Sequence, residues 1–204
     1  ELAKRCLEQC AVFATEFDFS ETDVHAVSEL MRLPENASLD QLLKPGAWKS
    51  LEFYCQKKLA LSVENMRLLH PMTVSLMLTN ALLLEEAKYS LDETLWGHAK
   101  SIGKKTTGVE TFDEQLDTLR NIPFDQHLKS LVWLLKNYSR QKRRMKKMLH
   151  WYRAGDLQRL YKAAKKDAKG MRKELLYKRN KLMARRFSDI ASSENIPKKF
   201  LEQI

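Results

Sequence analysis

The chain has little glycine, proline and cysteine and no long apolar run, and each shortage excludes a class of protein. Six Gly and five Pro among 204 residues, beside abundant Leu, Lys, Arg and Glu, favour helices. Three Cys without paired ligand spacing predict neither a disulfide framework nor a zinc site. The longest apolar runs, such as 81–84, are far too short to cross a bilayer, and no stretch has the order of a signal peptide.

Several catalytic motifs are missing as well. There is no Gly-x-x-x-x-Gly-Lys loop and no nucleophile elbow, which argues against a P-loop enzyme and against a serine hydrolase of the usual kind. The histidines are scattered without helical ligand spacing, so each is expected at the surface or at a helix end: His25, His70, His98, His127 and His150.

Two short stretches share one pattern, an apolar or β-branched run that ends in a carboxylate. Residues 105–109 predict a buried strand followed by Glu110, and residues 10–15 predict another strand followed by Glu16. If the two strands end on the same side, both carboxylates lie at one mouth, where sheet-and-helix proteins usually build their sites. The alternative is that each Glu caps its strand or neutralises a neighbouring Lys.

Local signals mark the helices around these strands. Gly103 suits the left-handed residue that closes a helix, and Thr111 with Glu114 predicts a capping box for the helix that follows. The pair Ser90 and Glu93 predicts another capping box. A weaker pattern, Ser20 with Asp23, predicts a helix after the first strand.

The predicted fold is predominantly α with a small parallel β core, an α/β-type arrangement in one domain or a fragment of one. Its expected parts are a first helix and strand, a helical insertion, a second strand with Glu110, a long basic helix hairpin and an exit segment: 1–20, 21–102, 103–122, 123–192 and 193–204. The start has neither a cap nor an initiator Met, and another strand is due at the end. Both features predict that the chain is a segment of something longer.

The hairpin is predicted from apolar positions in alternating steps of four and three between Phe124 and Tyr152, which indicate one helix of roughly 45 Å. Gly155 would end it and Asp156 would cap the next helix. That next helix carries an apolar stripe on which Arg179 also lies: Leu176, Met183, Phe187 and Ile190. Arg179 either snorkels from the edge of this face or reaches the mouth where the two Glu residues are expected.

Charge is strongly asymmetric. Residues 136–186 carry twenty Lys or Arg and three acids, about +17, and the remainder carries about −7. A solvated basic face is one interpretation, and association with an anionic membrane surface is another. Nucleic acid is disfavoured because no recognisable module is present and the aromatic residues follow the helical seam.

Several of these pieces, in the same order, resemble the TraB/GumN family, whose animal relatives include the Tiki proteases. Gly108-Val-Glu110 with its following Thr resembles the family's Gly-Leu-Glu motif, and the helix 91–105 before it ends in Gly-Lys as the family's does. Downstream, 152–156 resembles the Tyr-x-x-Gly-Asp element and 175–180 the Arg-Asn motif. Residues 11–18 resemble the family's first acidic strand.

The resemblance implies a metal-dependent hydrolase, in animals a protease, and hence a peptide or protein substrate. Its implied catalytic residues are Glu110 and Arg179, its implied ligands for a divalent metal ion are Glu16 and Glu110, and Gly108 and Asn180 complete its motifs. The family's two Gly-x-x-His motifs do not occur in this sequence. They are expected on the flanks, so the ligand set is incomplete and the chain as given is expected to be inactive.

A rival hypothesis from another class is a non-catalytic helical module. Its basic hairpin would bind an acidic partner or an anionic membrane surface, and Glu110 would play no part in binding.

Overall fold

A computed structural model describes residues 2–82, 90–167, 177 and 179–193. The chain forms two compact units. The described residues of the first are 2–23, 90–118, 177 and 179–193, and those of the second are 24–82 and 119–167. The segment boundaries expected from the sequence remain predictions.

The helices and strands follow one another along the chain in this order: α1 (Leu2–Gln9), β1 (Val12–Thr15), α2 (Val24–Leu30), α3 (Leu39–Leu42), α4 (Pro45–Tyr54), α5 (Pro71–Asn80), α6 (Leu91–Ser101), β2 (Lys105–Gly108), α7 (Phe112–Arg120), α8 (Phe124–Arg153), α9 (Leu157–Asp167) and α10 (Arg179–Ser193). Short 3₁₀ turns occupy Phe19–Glu21 and Val63–Met66, and a π turn extends α4 over Cys55–Leu59. Within the described ranges, every helix is too short or too polar to cross a membrane.

The sheet of the first unit pairs β1 with β2 in parallel, in a register from Val12 opposite Lys105 to Thr15 opposite Gly108. This confirms a predominantly α fold with a small parallel β core. The prediction that residues 105–109 form a buried strand is wrong in one respect. Lys105 is exposed and the rest of β2 is half-buried, because the described sheet has only these two strands.

The predicted helix signals of the first unit are mostly confirmed. Both capping boxes form, since Ser90 and Glu93 exchange hydrogen bonds and so do Thr111 and Glu114. Gly103 has a φ of +71°, as a left-handed helix end requires. The Ser20 prediction is wrong: Asp18 caps the 3₁₀ turn, and α2 begins only at Val24. Ser20 does not cap a helix here, because its own amide donates to the Asp18 carboxylate inside the 3₁₀ turn.

The second unit has the larger hydrophobic core. Side chains of α3, α4, α5 and the first half of α8 meet there with little or no exposure, including Leu39, Leu51, Val74, Leu78 and Leu131. The Tyr138 hydroxyl donates to the Leu78 carbonyl oxygen at 3.3 Å, which satisfies a polar group inside this core.

Helix α8 bends at Asn137, whose φ of −119° and ψ of 19° are not helical. The side-chain amide of Asn137 donates to the Trp133 carbonyl oxygen at 2.9 Å. All four buried side chains of α8 lie between Leu131 and Tyr138. The half of α8 up to Tyr138 therefore packs in the core, whereas the half after it is basic and does not.

The long helix and its turn confirm the sequence prediction. Gly155 has a φ of +67°, and Asp156 accepts a hydrogen bond from the Arg159 amide at 3.0 Å. Helix α9 then returns along α8, and the Arg144 guanidinium donates to the Ala163 carbonyl oxygen at 3.4 Å. Arg144 lies eleven residues before Gly155 and Ala163 lies eight residues after it, so the two helices run antiparallel as a hairpin.

The apolar stripe predicted for the following helix is only partly correct. Met183 and Ile190 of α10 are half-buried, but Phe187 is 42% exposed, and Arg186 lies on the half-buried side instead. Leu176 and the break predicted at Gly170 fall outside the described residues. Helix α10 belongs to the first unit, where it carries Arg179.

Candidate functional site

The backbone brings the two predicted acids together. Glu16 follows β1 directly, and Glu110 lies two residues after β2. The Val109 amide donates to the Thr15 carbonyl oxygen at 2.9 Å, and the Glu110 amide donates to the Glu16 carbonyl oxygen at 2.8 Å. The Glu110 side chain is 4% exposed and the Glu16 side chain is 54% exposed. One carboxylate therefore lies inside the unit and the other in contact with solvent.

Gly108 permits this close approach of the two chain segments. A Cβ atom at this position would lie 2.6 Å from the Glu110 carbonyl oxygen, 2.7 Å from the Asp18 amide nitrogen and 2.8 Å from the Phe17 Cα. These neighbours are backbone atoms that cannot rotate away. The glycine of the Gly-Val-Glu stretch is therefore needed for space.

Arg179 of α10 joins the two acids. Its Nε donates to both oxygens of Glu110, at 3.0 and 2.8 Å, and its Nη2 lies 2.8 Å from Glu16 Oε2 and 2.7 Å from Glu110 Oε2. The hydrogen bond to Glu110 raises the pKa of Arg179 further above its usual value, against the effect of burial. Glu16, Glu110 and Arg179, separated widely in sequence, thus form one ion-paired cluster with a formal charge of about −1.

A second pair on α10, Arg186 with Glu114, lies two helical turns further along. The guanidinium donates to the two Glu114 oxygens at 2.5 and 2.7 Å, and also to the Val109 carbonyl oxygen at 3.3 Å. This Arg186 contact lowers the pKa of Glu114 to about 2. Sequence reasoning missed this pair, although the seven-residue interval from Arg179 to Arg186 places both on one face of a helix.

Asp18 is a further carboxylate that the sequence did not single out. It is 7% exposed and accepts hydrogen bonds from the Ser20 amide and hydroxyl, from the Trp96 indole at 3.2 Å and from the Thr106 hydroxyl at 2.9 Å. Burial opposes its ionisation, but these hydrogen bonds outweigh burial and lower the pKa of Asp18. It therefore acts as a structural tie between β1, β2 and α6.

The remaining predicted site residues are less engaged. Asn180 follows Arg179 on α10 and is exposed. The Gln115 side-chain amide donates to Glu16 Oε2 at 3.4 Å, a long contact from α7. The catalytic roles predicted for Glu110 and Arg179 and the motif role of Asn180 remain predictions.

A divalent metal ion does not fit the described residues as they stand. Glu16 and Glu110 supply carboxylates, but the Arg179 guanidinium lies where an ion bridging them would bind. Within the described part of the chain, no group of three His, Cys, Asp or Glu side chains is gathered closely enough to hold a metal. A catalytic metal usually takes three protein ligands. The metal therefore remains a prediction.

Comparison with known proteins gives one family. The sequence profile of the TraB/PrgY/gumN family matches residues 1–198 of the 204. No curated protein and no solved structure matches significantly. The match includes both strands, the Gly-Val-Glu stretch and the Arg-Asn pair at the start of α10. Because it spans nearly all of the sequence, this chain belongs to the TraB/PrgY/gumN family.

Proposed function

We propose that the cluster of Glu16, Glu110 and Arg179 is the reactive centre of a hydrolase that acts on a peptide or protein. The observation that carries this proposal is the guanidinium of Arg179 bridging two carboxylates beside the carboxyl ends of parallel strands. Function in such folds is usually located at that edge. Family membership supports the same residues, because Glu110 and Arg179 lie in the stretches that resemble the family's motifs.

The proposed roles use only the chain's own side chains. Glu16 is the acid that solvent reaches, so it is the one available to take a proton from an attacking water. Glu110 holds the guanidinium in place from the buried side. Arg179 has N–H groups beyond those given to the carboxylates, and these donors can stabilise negative charge that develops on a substrate carbonyl oxygen.

The test is turnover of fluorogenic peptides by the full-length protein and its Glu110→Gln variant. Removing the charge of Glu110 releases Arg179 from its anchor and is expected to lower kcat/KM by about 100-fold or more. Glu114→Gln is the matched control, since it breaks the comparable ion pair with Arg186 on the same helix. That variant is expected to retain activity within about threefold.

Two outcomes would reject the assignment. Undiminished turnover by Glu110→Gln would remove Glu110 from the reactive centre. An equal loss in Glu114→Gln would mean that both carboxylates act through folding alone, which circular dichroism of the two variants would reveal.

A further inference from the structure

A long basic groove lies within the second unit, between α5, α8 and α9. It is open to solvent and has a volume of about 1240 Å³, which exceeds the usual range of small-molecule pockets. Seven of its fifteen lining residues are Lys or Arg, and none of the fifteen is Asp or Glu. This groove, called the α8 groove below, combines concave shape with charge of one sign.

Several of these cations have no acidic partner among the described residues. Arg159 contacts Asp156, and Arg144 donates to the Ala163 carbonyl oxygen. For Arg140, Arg143 and Lys147, no acidic partner lies within ion-pair distance anywhere in the described chain. Like charges crowded on one wall repel each other, so an anionic ligand bound there would be favoured electrostatically.

The dimensions of the α8 groove indicate the kind of ligand. Its wall on α8 extends from Lys129 to Trp151, which is roughly 33 Å at 1.5 Å per residue. An extended polypeptide of about ten residues covers the same distance. A flat bilayer surface would touch only the rims of such a concavity.

The lining of the α8 groove also includes apolar surface, from Trp133, Leu134 and Trp151. An extended polypeptide presents its side chains alternately on two sides, so it can offer carboxylates to the cations and apolar groups to this surface.

We propose that the α8 groove binds an extended, acidic polypeptide segment. Arg140, Arg143 and Lys147 pair with its carboxylates. Trp133, 47% exposed, and the half-buried Trp151 cover its apolar side chains. This binding is independent of the hydrolase proposed for the first unit, because none of its residues belongs to the Glu16 cluster.

The experiment is fluorescence anisotropy with the full-length protein. The probes are a fluorescein-labelled peptide of about ten residues alternating Glu with Ala and Leu, its Gln-for-Glu analogue, a labelled oligothymidylate, and vesicles of phosphatidylserine with phosphatidylcholine. The acidic peptide is expected to bind, and the Gln analogue is expected to bind at least about tenfold more weakly.

The variant Arg140→Glu with Lys147→Glu is expected to lower affinity for the acidic peptide by about tenfold or more. Its control, Lys44→Glu with Lys165→Glu, has the same change in net charge on two exposed lysines of this unit outside the α8 groove. The control is expected to bind within about twofold of the unaltered protein.

Several results would overturn the proposal. They are absence of peptide binding, equal losses in the groove variant and the control, and oligothymidylate or vesicle binding that is tighter than peptide binding and lost in the same groove variant. Peptide hydrolysis measured in parallel keeps the two proposals separate, since groove binding is expected to survive Glu110→Gln.

Discussion

In the first unit, Arg179 and Arg186 each lie against carboxylates of the same chain, whereas Arg140 and Arg143 of the second unit line a groove whose lining residues include no acid. The difference is in what surrounds each guanidinium. A partly buried Arg needs its counter-charge built into the fold, since an unpaired buried charge is costly. An exposed Arg in water needs none, so its charge remains available for a partner. Basic residues of one sequence thus lie in two different electrostatic environments.

The largest effect is expected when the paired cation of the cluster is removed. Arg179→Met leaves the buried Glu110 carboxylate without its partner and should lower the free energy of unfolding by about 2–3 kcal/mol. Arg186→Met should cost clearly less, because both side chains of that pair are 36% exposed. Urea denaturation of both variants makes the comparison. Equal losses would show that burial does not separate the two pairs.

A smaller loss is expected from Gly108→Ala. The new methyl group would meet three backbone atoms within 2.8 Å, so β2 must shift away from Phe17 and Asp18 at a cost of about 2 kcal/mol. Gly97→Ala is the control. It lies in α6 with nothing within 4 Å of the added Cβ, and it should stabilise by about 0.5–1 kcal/mol. Destabilisation by both would point to helix and strand propensity instead of space.

The Glu114 pair gives a pH dependence of moderate size. Because Arg186 holds the folded-state pKa of Glu114 near about 2, below its ordinary 4.5, the pair stabilises the protein above about pH 4.5. That contribution should decline as pH falls from about 4.5 through about 2. Thermal unfolding of the protein and of Glu114→Gln, at matched pH values, measures it. A stability difference that stays constant down to pH 2 would contradict this assignment.

The smallest effect is expected from the cations of the α8 groove in the second unit. Arg143 and Lys147 are one helical turn apart on α8, where like charges destabilise a helix. Lys147→Gln should therefore raise the free energy of unfolding by about 0.2–0.5 kcal/mol at low salt. The gain should vanish at about 1 M salt, because screening removes the repulsion. Loss of stability at low salt would imply that Lys147 has a partner after all.

Sequence reasoning succeeded where a signal is local. The capping boxes at Ser90 and Thr111 were found because donor and acceptor are three residues apart. The proximity of Glu16 and Glu110 followed from two similar strands, since short parallel strands place their ends together. Family membership followed from the order of several short motifs, none of them specific alone.

Other features depended on tertiary contacts that no spacing rule reports. The buried position of Asp18 is one of them, because Trp96 and Thr106 reach it from distant parts of the chain. Phe187 was predicted on the apolar stripe because it is hydrophobic. The half-buried position belongs to Arg186 instead, because its guanidinium pairs with the Glu114 carboxylate. The basic excess of α8 was evident from the sequence. The concave shape of the α8 groove and the position of Trp133 in that groove were not.

The hydrogen bond from the Glu110 amide to the Glu16 carbonyl oxygen has a consequence for how this cluster can evolve. The two acids follow neighbouring strands, so the main chain sets the distance between them to the strand spacing, roughly 4.8 Å. Substitutions around the cluster can change which cation lies between the two carboxylates without changing the distance between the strands that carry them. Proteins that share this fold can therefore exchange one cation for another and keep the two acids in place.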